Sequence, residues 1–154
     1  MDTLLVAVRD AIKNSASLAY LQGVNVIDDE LLPPEEIGWP QVGVKDDGLD
    51  NEPKEFQKGT EILRVRVTAY QSVLLATPGA SVMGEASLGD RGKGTLLIAK
   101  DLKTLLHKNK LGLSGYYLAR LKKIEASRTI FSADTEHYAQ MQSLGFEYAR
   151  SVAE

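Results

Sequence analysis

No cysteine occurs anywhere in the 154 residues. That excludes a disulfide framework and thiolate metal sites, and it removes one class of nucleophile. Histidine is nearly as scarce. His107 and His137 are the only two, and neither has a second histidine three or four residues away. A zinc site needs three or four convergent ligands, so a cap or a solvent-facing role is expected of both. Trp39 is the single tryptophan. Standing before Pro40 it is biased to extended backbone, and its bulk is expected at a core edge or a subunit contact. Long apolar runs are missing as well. None approaches the ~20 residues that cross a bilayer, and Met1-Asp2 leads into a helical pattern rather than a basic signal-peptide start. The expectations are therefore no membrane contact and a cytosolic place of assembly. Nor is there a surplus of positive charge: the net charge is −3, whereas a general nucleic-acid binder carries a basic excess.

What is present is an ordinary globular balance, 44% hydrophobic and 25% charged. At this length one domain, residues 1–154, buries roughly 70% of its unfolded surface and needs no staples. The charges are unevenly placed. The chain is mostly acidic from Asp28 to Glu55, whereas Lys100–Arg128 holds Lys100, Lys103, Lys108, Lys110, Arg120, Lys122, Lys123 and Arg128 against Asp101 and Glu125. Two readings stay open: both regions are solvated in a monomer, or the acidic side of one copy meets the basic side of the next, as in a closed ring.

Periodicity supplies the fold. In Thr60–Gln71, Leu63, Val65, Val67 and Ala69 alternate with Arg64, Arg66, Thr68 and Tyr70, the period of a half-buried strand. This is taken as the central strand, with helices on its Leu63/Val65/Val67 face. Before it, Leu4, Leu5, Val8, Ile12 and Ala16 form the apolar stripe of a helix capped by Asp2 or Thr3 and stopped near Gly23. Short strands are expected at Val24–Asp28 and Gln41–Lys45, with a proline-broken loop at Leu31–Pro34 and Ile37–Pro40 between them. Asp46–Lys58 reads as a polar link into the long strand. After that strand, Ala76–Gly94 carries five glycines and no apolar periodicity, the pattern of a flexible, partner-ordered loop. Thr95 then opens a second helix with a core stripe of Ile98, Leu102, Leu105 and Leu106, its lysines crowding the other side. Tyr116–Ser127 reads as a strand whose apolar face switches midway, which predicts a bulge near Lys122-Lys123. His137–Val152 is a second strong strand with one large face and one face of small residues. The order implies an α+β fold, an antiparallel or mixed sheet of about four to five strands with two helices packed on one face.

Little in the sequence speaks for catalysis. GDRGKGT at Gly89–Thr95 lacks the Ser or Thr after the lysine and the first glycine of a phosphate-binding loop. The carboxylate pairs Asp28-Asp29, Glu35-Glu36 and Asp46-Asp47 fall in loop-like stretches, and Ser81, Ser114 and Ser132 have no nucleophile elbow around them. A non-enzyme without cofactor or metal is expected. Alternating arginines on a strand's second face commonly pair with carboxylates of neighbouring strands, so Arg64 and Arg66 suit inter-strand or intersubunit ion pairs.

Taken together, the N-terminal helix Thr3–Ala16, the WPQVGV segment, the RVRVTAY strand, the glycine-rich loop, the lysine-rich helix and the closing QSLGFEYAR strand resemble the tail terminators, or tail-completion proteins, of long-tailed bacteriophages. That resemblance spans nearly the whole chain and rests on order and texture. It implies a structural virion protein, not an enzyme, that forms a hexameric ring on the tail tube, ends tube polymerisation and joins the tail to the neck or connector proteins of the head. The implied partners are further copies of the chain, the tail tube protein and a neck protein. DNA would pass through the lumen without sequence-specific binding. Localisation would be the virion tail or neck, assembled in the host cytoplasm. Arg64, Arg66, Arg91, Lys93, Lys122 and Lys123 are the candidate interface residues. The alternatives are another head-tail joining protein, or a small-ligand or enzymatic domain that uses residues 76–94 as a lid.

Overall fold

The computed structural model describes residues 1–28, 37–53, 58–73, 79–132 and 137–153. Its architecture is the expected α+β one, a mixed six-stranded sheet with the two long helices on one face. The order along the chain is α1 (Asp2–Lys13), β1 (Gly23–Val26), β2 (Gln41–Pro53), β3 (Lys58–Ser72), α2 (Ala80–Met83), α3 (Thr95–Leu106), β4 (Tyr116–Ile124), β5 (Arg128–Ser132) and β6 (His137–Ala153). In space the strands run β1-β2-β3-β6-β4, and β5 also pairs with β6. The β1–β2 pair is parallel; β2–β3, β3–β6, β4–β6 and β5–β6 are antiparallel.

The central strand is β3, where the alternation placed it. Leu63, Val65, Val67 and Ala69 are fully buried against Leu144, Phe146 and Tyr148 of β6 and against the helices. From α1 come Leu4, Leu5, Val8 and Ile12, and from α3 come Ile98, Ala99, Leu102 and Leu106. Burying each large side chain of these stripes contributes about 2 kcal/mol, which holds the helices to the sheet. Ala16 does not share in this: α1 ends at Lys13, and Ala16 is exposed in a short 3-10 turn. Neither Asp2 nor Thr3 caps the helix. The N-cap is Met1, with Asp2 in the first turn, where its charge suits the helix dipole. Likewise Gly94, not Thr95, is the N-cap of α3; Thr95 is buried, and its hydroxyl hydrogen-bonds that of Ser127 at 3.2 Å. Gly23, read as the helix stop, opens β1 instead. Trp39 is half-buried and joined to Pro40 by a cis peptide bond.

Three stretches differ from the sequence expectation. The polar link is mostly strand: β2 runs on to Pro53 and pairs with β3 as far as Gly59, with a register shift between Asp46 and Leu49. Gly48 supplies the kink with a φ of 107° and donates its N–H to Asp46 Oδ1 at 2.8 Å. A further strand, β5, continues the line of β4 along β6, joined to it where Glu125 N–H donates to the Ser143 carbonyl at 2.9 Å. Residues 79–94, read as flexible loop, hold α2 and a 3-10 stretch at Ala86–Gly92. The bulge in β4 stands as predicted: Leu121 pairs with Phe146 and Lys123 with Gly145, so Lys122 is the extra residue. Leu31–Pro34, the start of the 76–94 segment and the link at residues 54–57 lie outside the described residues.

Candidate interaction surface

Strand alternation gives the sheet a second face, opposite the helices. Along β3 it carries Arg64, Arg66, Thr68 and Tyr70, and the register sets these against Glu147, Gly145, Ser143 and Met141 of β6. Thr68, Tyr70, Met141 and Ser143 are buried, and the Thr68 and Ser143 hydroxyls hydrogen-bond at 2.9 Å. The half that contains the two arginines is charged and reaches solvent.

An ion network crosses four strands there. Arg64 bonds Asp50 of β2 through Nη1 and approaches Glu147 Oε1 with Nε at 3.5 Å. Glu147 is 5% exposed and receives Arg120 of β4 at 3.1 Å from Nε and 2.9 Å from Nη2. The hydrogen bond that Arg64 donates to Asp50, with the charges of Asp50 and Glu147, raises the guanidinium pKa above its ordinary value against the opposing effect of burial. One row on, Arg66 pairs with Glu125 and lies 4.0 Å from Asp47. The bonds of Arg64 and Arg120 join neighbouring strands and that of Arg66 with Glu125 reaches across β6 to the end of β4, so together they fix register and stiffen the face.

Between the rows a cleft opens over Gly145. Arg64, Arg66, Lys122 and Lys123 line it together with Asp47, Glu125 and Glu147. The β4 bulge brings both lysines to this cleft, and both are exposed. His107, at the end of α3, supports the bulged strand: its Nδ1 accepts the Leu121 N–H at 3.0 Å. This bond ties the end of α3 to β4. A second depression shares Arg66 and Glu125 and continues to Arg128, Met141 and Ser143.

The six candidate residues thus divide. Arg64, Arg66, Lys122 and Lys123 converge on one cleft, whereas Arg91 and Lys93 sit on the helix side. Lys93 Nζ is 3.5 Å from Asp101 Oδ2 of α3 and 4.2 Å from the centre of the Tyr20 ring, and the Tyr20 hydroxyl donates to the same carboxylate oxygen at 2.8 Å. Arg91 is exposed; its carbonyl and that of Lys93 accept from Gln71 Nε2 at 3.0 and 2.7 Å. Two glycines of GDRGKGT, Gly92 and Gly94, serve this packing. A Cβ on Gly94 would lie 2.1 Å from the Val82 carbonyl oxygen, and one on Gly92 would lie 2.2 Å from that of Glu85.

The sequence reading missed Glu147, Arg120, Glu125, Asp47 and Asp50 as partners. A signal was there for two of them: Glu147 and Arg120 each interrupt an apolar strand at the alternate position. Among the described residues no group of three or more His, Asp or Glu could hold a metal ion, and no helix is long and apolar enough to cross a membrane. Compared with protein-family models, the chain matches none, and a search of curated proteins finds no match either.

Proposed function

We propose that the chain is a structural joining protein of a phage virion, a tail terminator whose copies form a hexameric ring on the end of the tail tube. The observation that carries this reading is the division of labour between the two sheet faces. Both long helices and the apolar core occupy one face, while the other presents a rigid charged plane braced by ion pairs across four strands. A plane of that kind suits recognition of another protein surface, since its side chains are ordered before contact and little entropy is lost on docking.

The charge distribution supports a head-to-tail ring. Lys100, Lys103, Lys108 and Lys110 are exposed on and after α3, and none has an ion-pair partner among the described residues. The β2 extension carries exposed Asp46, Asp47 and Asp50 away from them in the chain. Contact between these two surfaces on successive copies is heterologous, the type that closes into a ring. In this reading one ring face matches the last tube ring, and the other docks the neck while refusing a further tube ring. DNA passes through the lumen without being read.

The lid alternative has less support. Residues 79–94 pack on the helix side through Gln71 and Asp101, whereas the charged cleft opens on the opposite side of the sheet. Mixing the protein with polymerising tail tube protein tests the proposal. Short tubes with a ring at one end support it; tubes of unchanged length with no added density oppose it.

A further inference from the structure

We propose that the cleft over Gly145 is a binding site for a carboxylate side chain carried by an acidic segment of a partner protein. This goes beyond the ring reading and stands on observations of its own.

The first concerns the glycine. Gly145 lies in the interior of β6, paired with Arg66 on one side and Lys123 on the other. Glycine weakens a strand interior and is usually explained by a positive φ or by a crowded Cβ position. Neither explanation applies here. Gly145 is not among the positive-φ glycines, and the nearest atom to an added Cβ is the Lys123 carbonyl oxygen at 3.9 Å, an ordinary contact. The fold tolerates a side chain at this position, yet the floor of the cleft is left bare. A bare floor in a strand suits the close approach of another group.

The second concerns charge. Arg64 and Arg66 are engaged by Asp50, Glu147, Asp47 and Glu125. Lys122 and Lys123 line the same cleft and have no ion-pair partner among the described residues. They face the cleft together because Lys122 is the inserted residue of the bulge, a device that re-aims side chains at the cost of ladder bonds. The cations left over are therefore two ammonium groups beside a bare floor. Asp47, Glu125 and Glu147 also line the cleft, and their field opposes a doubly charged phosphate more than a single carboxylate. The adjoining depression towards Arg128 and Ser143 leaves room for the residues that flank the carboxylate in an extended segment.

The test is an amide NMR titration of the full chain with two probes, a capped tetraglutamate peptide and inorganic phosphate. Saturable shifts from the peptide at Gly145, Lys123 and Arg66 are expected, with weaker shifts from phosphate. In K122A/K123A the peptide affinity should fall at least tenfold. In G145A it should fall about threefold while the melting temperature holds or rises, which separates loss of the site from loss of the fold. Three results would each overturn the proposal: phosphate binding more tightly than the peptide at this cleft, peptide shifts centred on Lys100 and Lys103 and unaffected by K122A/K123A, or no saturable shift with either probe.

Discussion

Arg120 on β4 donates both Nε and Nη2 to one oxygen of Glu147 on β6, at 3.1 and 2.9 Å. The two partners are unequal. The Glu147 side chain is 6% exposed and that of Arg120 is 47% exposed. Removing the buried carboxylate releases arginines that water solvates, whereas removing the arginines strands a buried charge. Glu147→Ala is therefore expected to cost about 1 kcal/mol, and Arg64→Ala with Arg120→Ala together about 3 kcal/mol. Urea denaturation of the variants checks this, and equal costs would contradict it.

Tyr148 gives a dependence on alkaline pH. Its ring is buried, its hydroxyl has no hydrogen-bond partner among the described residues, and burial raises its pKa well above the usual phenol value. Above pH of about 10 the unfolded chain loses this proton while the folded chain keeps it. The unfolded state then binds fewer protons, so stability falls as pH rises through that range. Tyr148→Phe should flatten the fall. It should also raise stability at neutral pH by about 1 kcal/mol, since a buried hydroxyl without a partner is removed. Thermal melts between pH 7 and 11 provide the readout.

Glycines in the chain should respond in opposite directions. Gly94→Ala forces a Cβ to within 2.1 Å of the Val82 carbonyl oxygen. Backbone cannot yield cheaply, so a loss of about 3 kcal/mol or more is expected. Gly145→Ala meets nothing closer than 3.9 Å and should be neutral or stabilising by about 0.5 kcal/mol. Calorimetry on the pair tests whether residues 79–94 are held by close packing.

Charge reversal on α3 should separate assembly from folding. Lys100→Glu with Lys103→Glu changes exposed side chains that make no ion pair among the described residues, so stability should move by about 0.5 kcal/mol or less. If a ring closes through this surface, its mass by light scattering should drop to that of the subunit. A ring of unchanged mass would place the contact elsewhere.

Where the core was involved, the sequence spoke clearly. The alternation of Leu63, Val65 and Val67 located β3, because burial on one side forces a strict period, and the face switch after Leu121 located the bulge, which sets Ile124 opposite Leu144 although Ile124 stays exposed. Beyond the core that constraint lapses. Residues Asp46, Asp47, Leu49 and Asp50 are exposed and form strand by pairing with β3 rather than by burying a face, so no apolar alternation marks them. β5 is five residues long, too short for a period to register. Residues 79–94 pack through glycine backbones and the Gln71 amide, neither of which leaves a hydrophobic pattern. At the candidate surface Arg64, Arg66, Lys122 and Lys123 were visible as charges. The carboxylate partners of the two arginines come from β2, β6 and the end of β4, and only the register brings them together.

The most direct test of the joining role is electron microscopy of tail tube protein polymerised with and without this chain. The account predicts that added protein forms a hexameric ring on one tube end, halts growth and shortens the length distribution, with K100E/K103E failing to do so. Tubes that grow to the same lengths beside a protein that stays monomeric would contradict it.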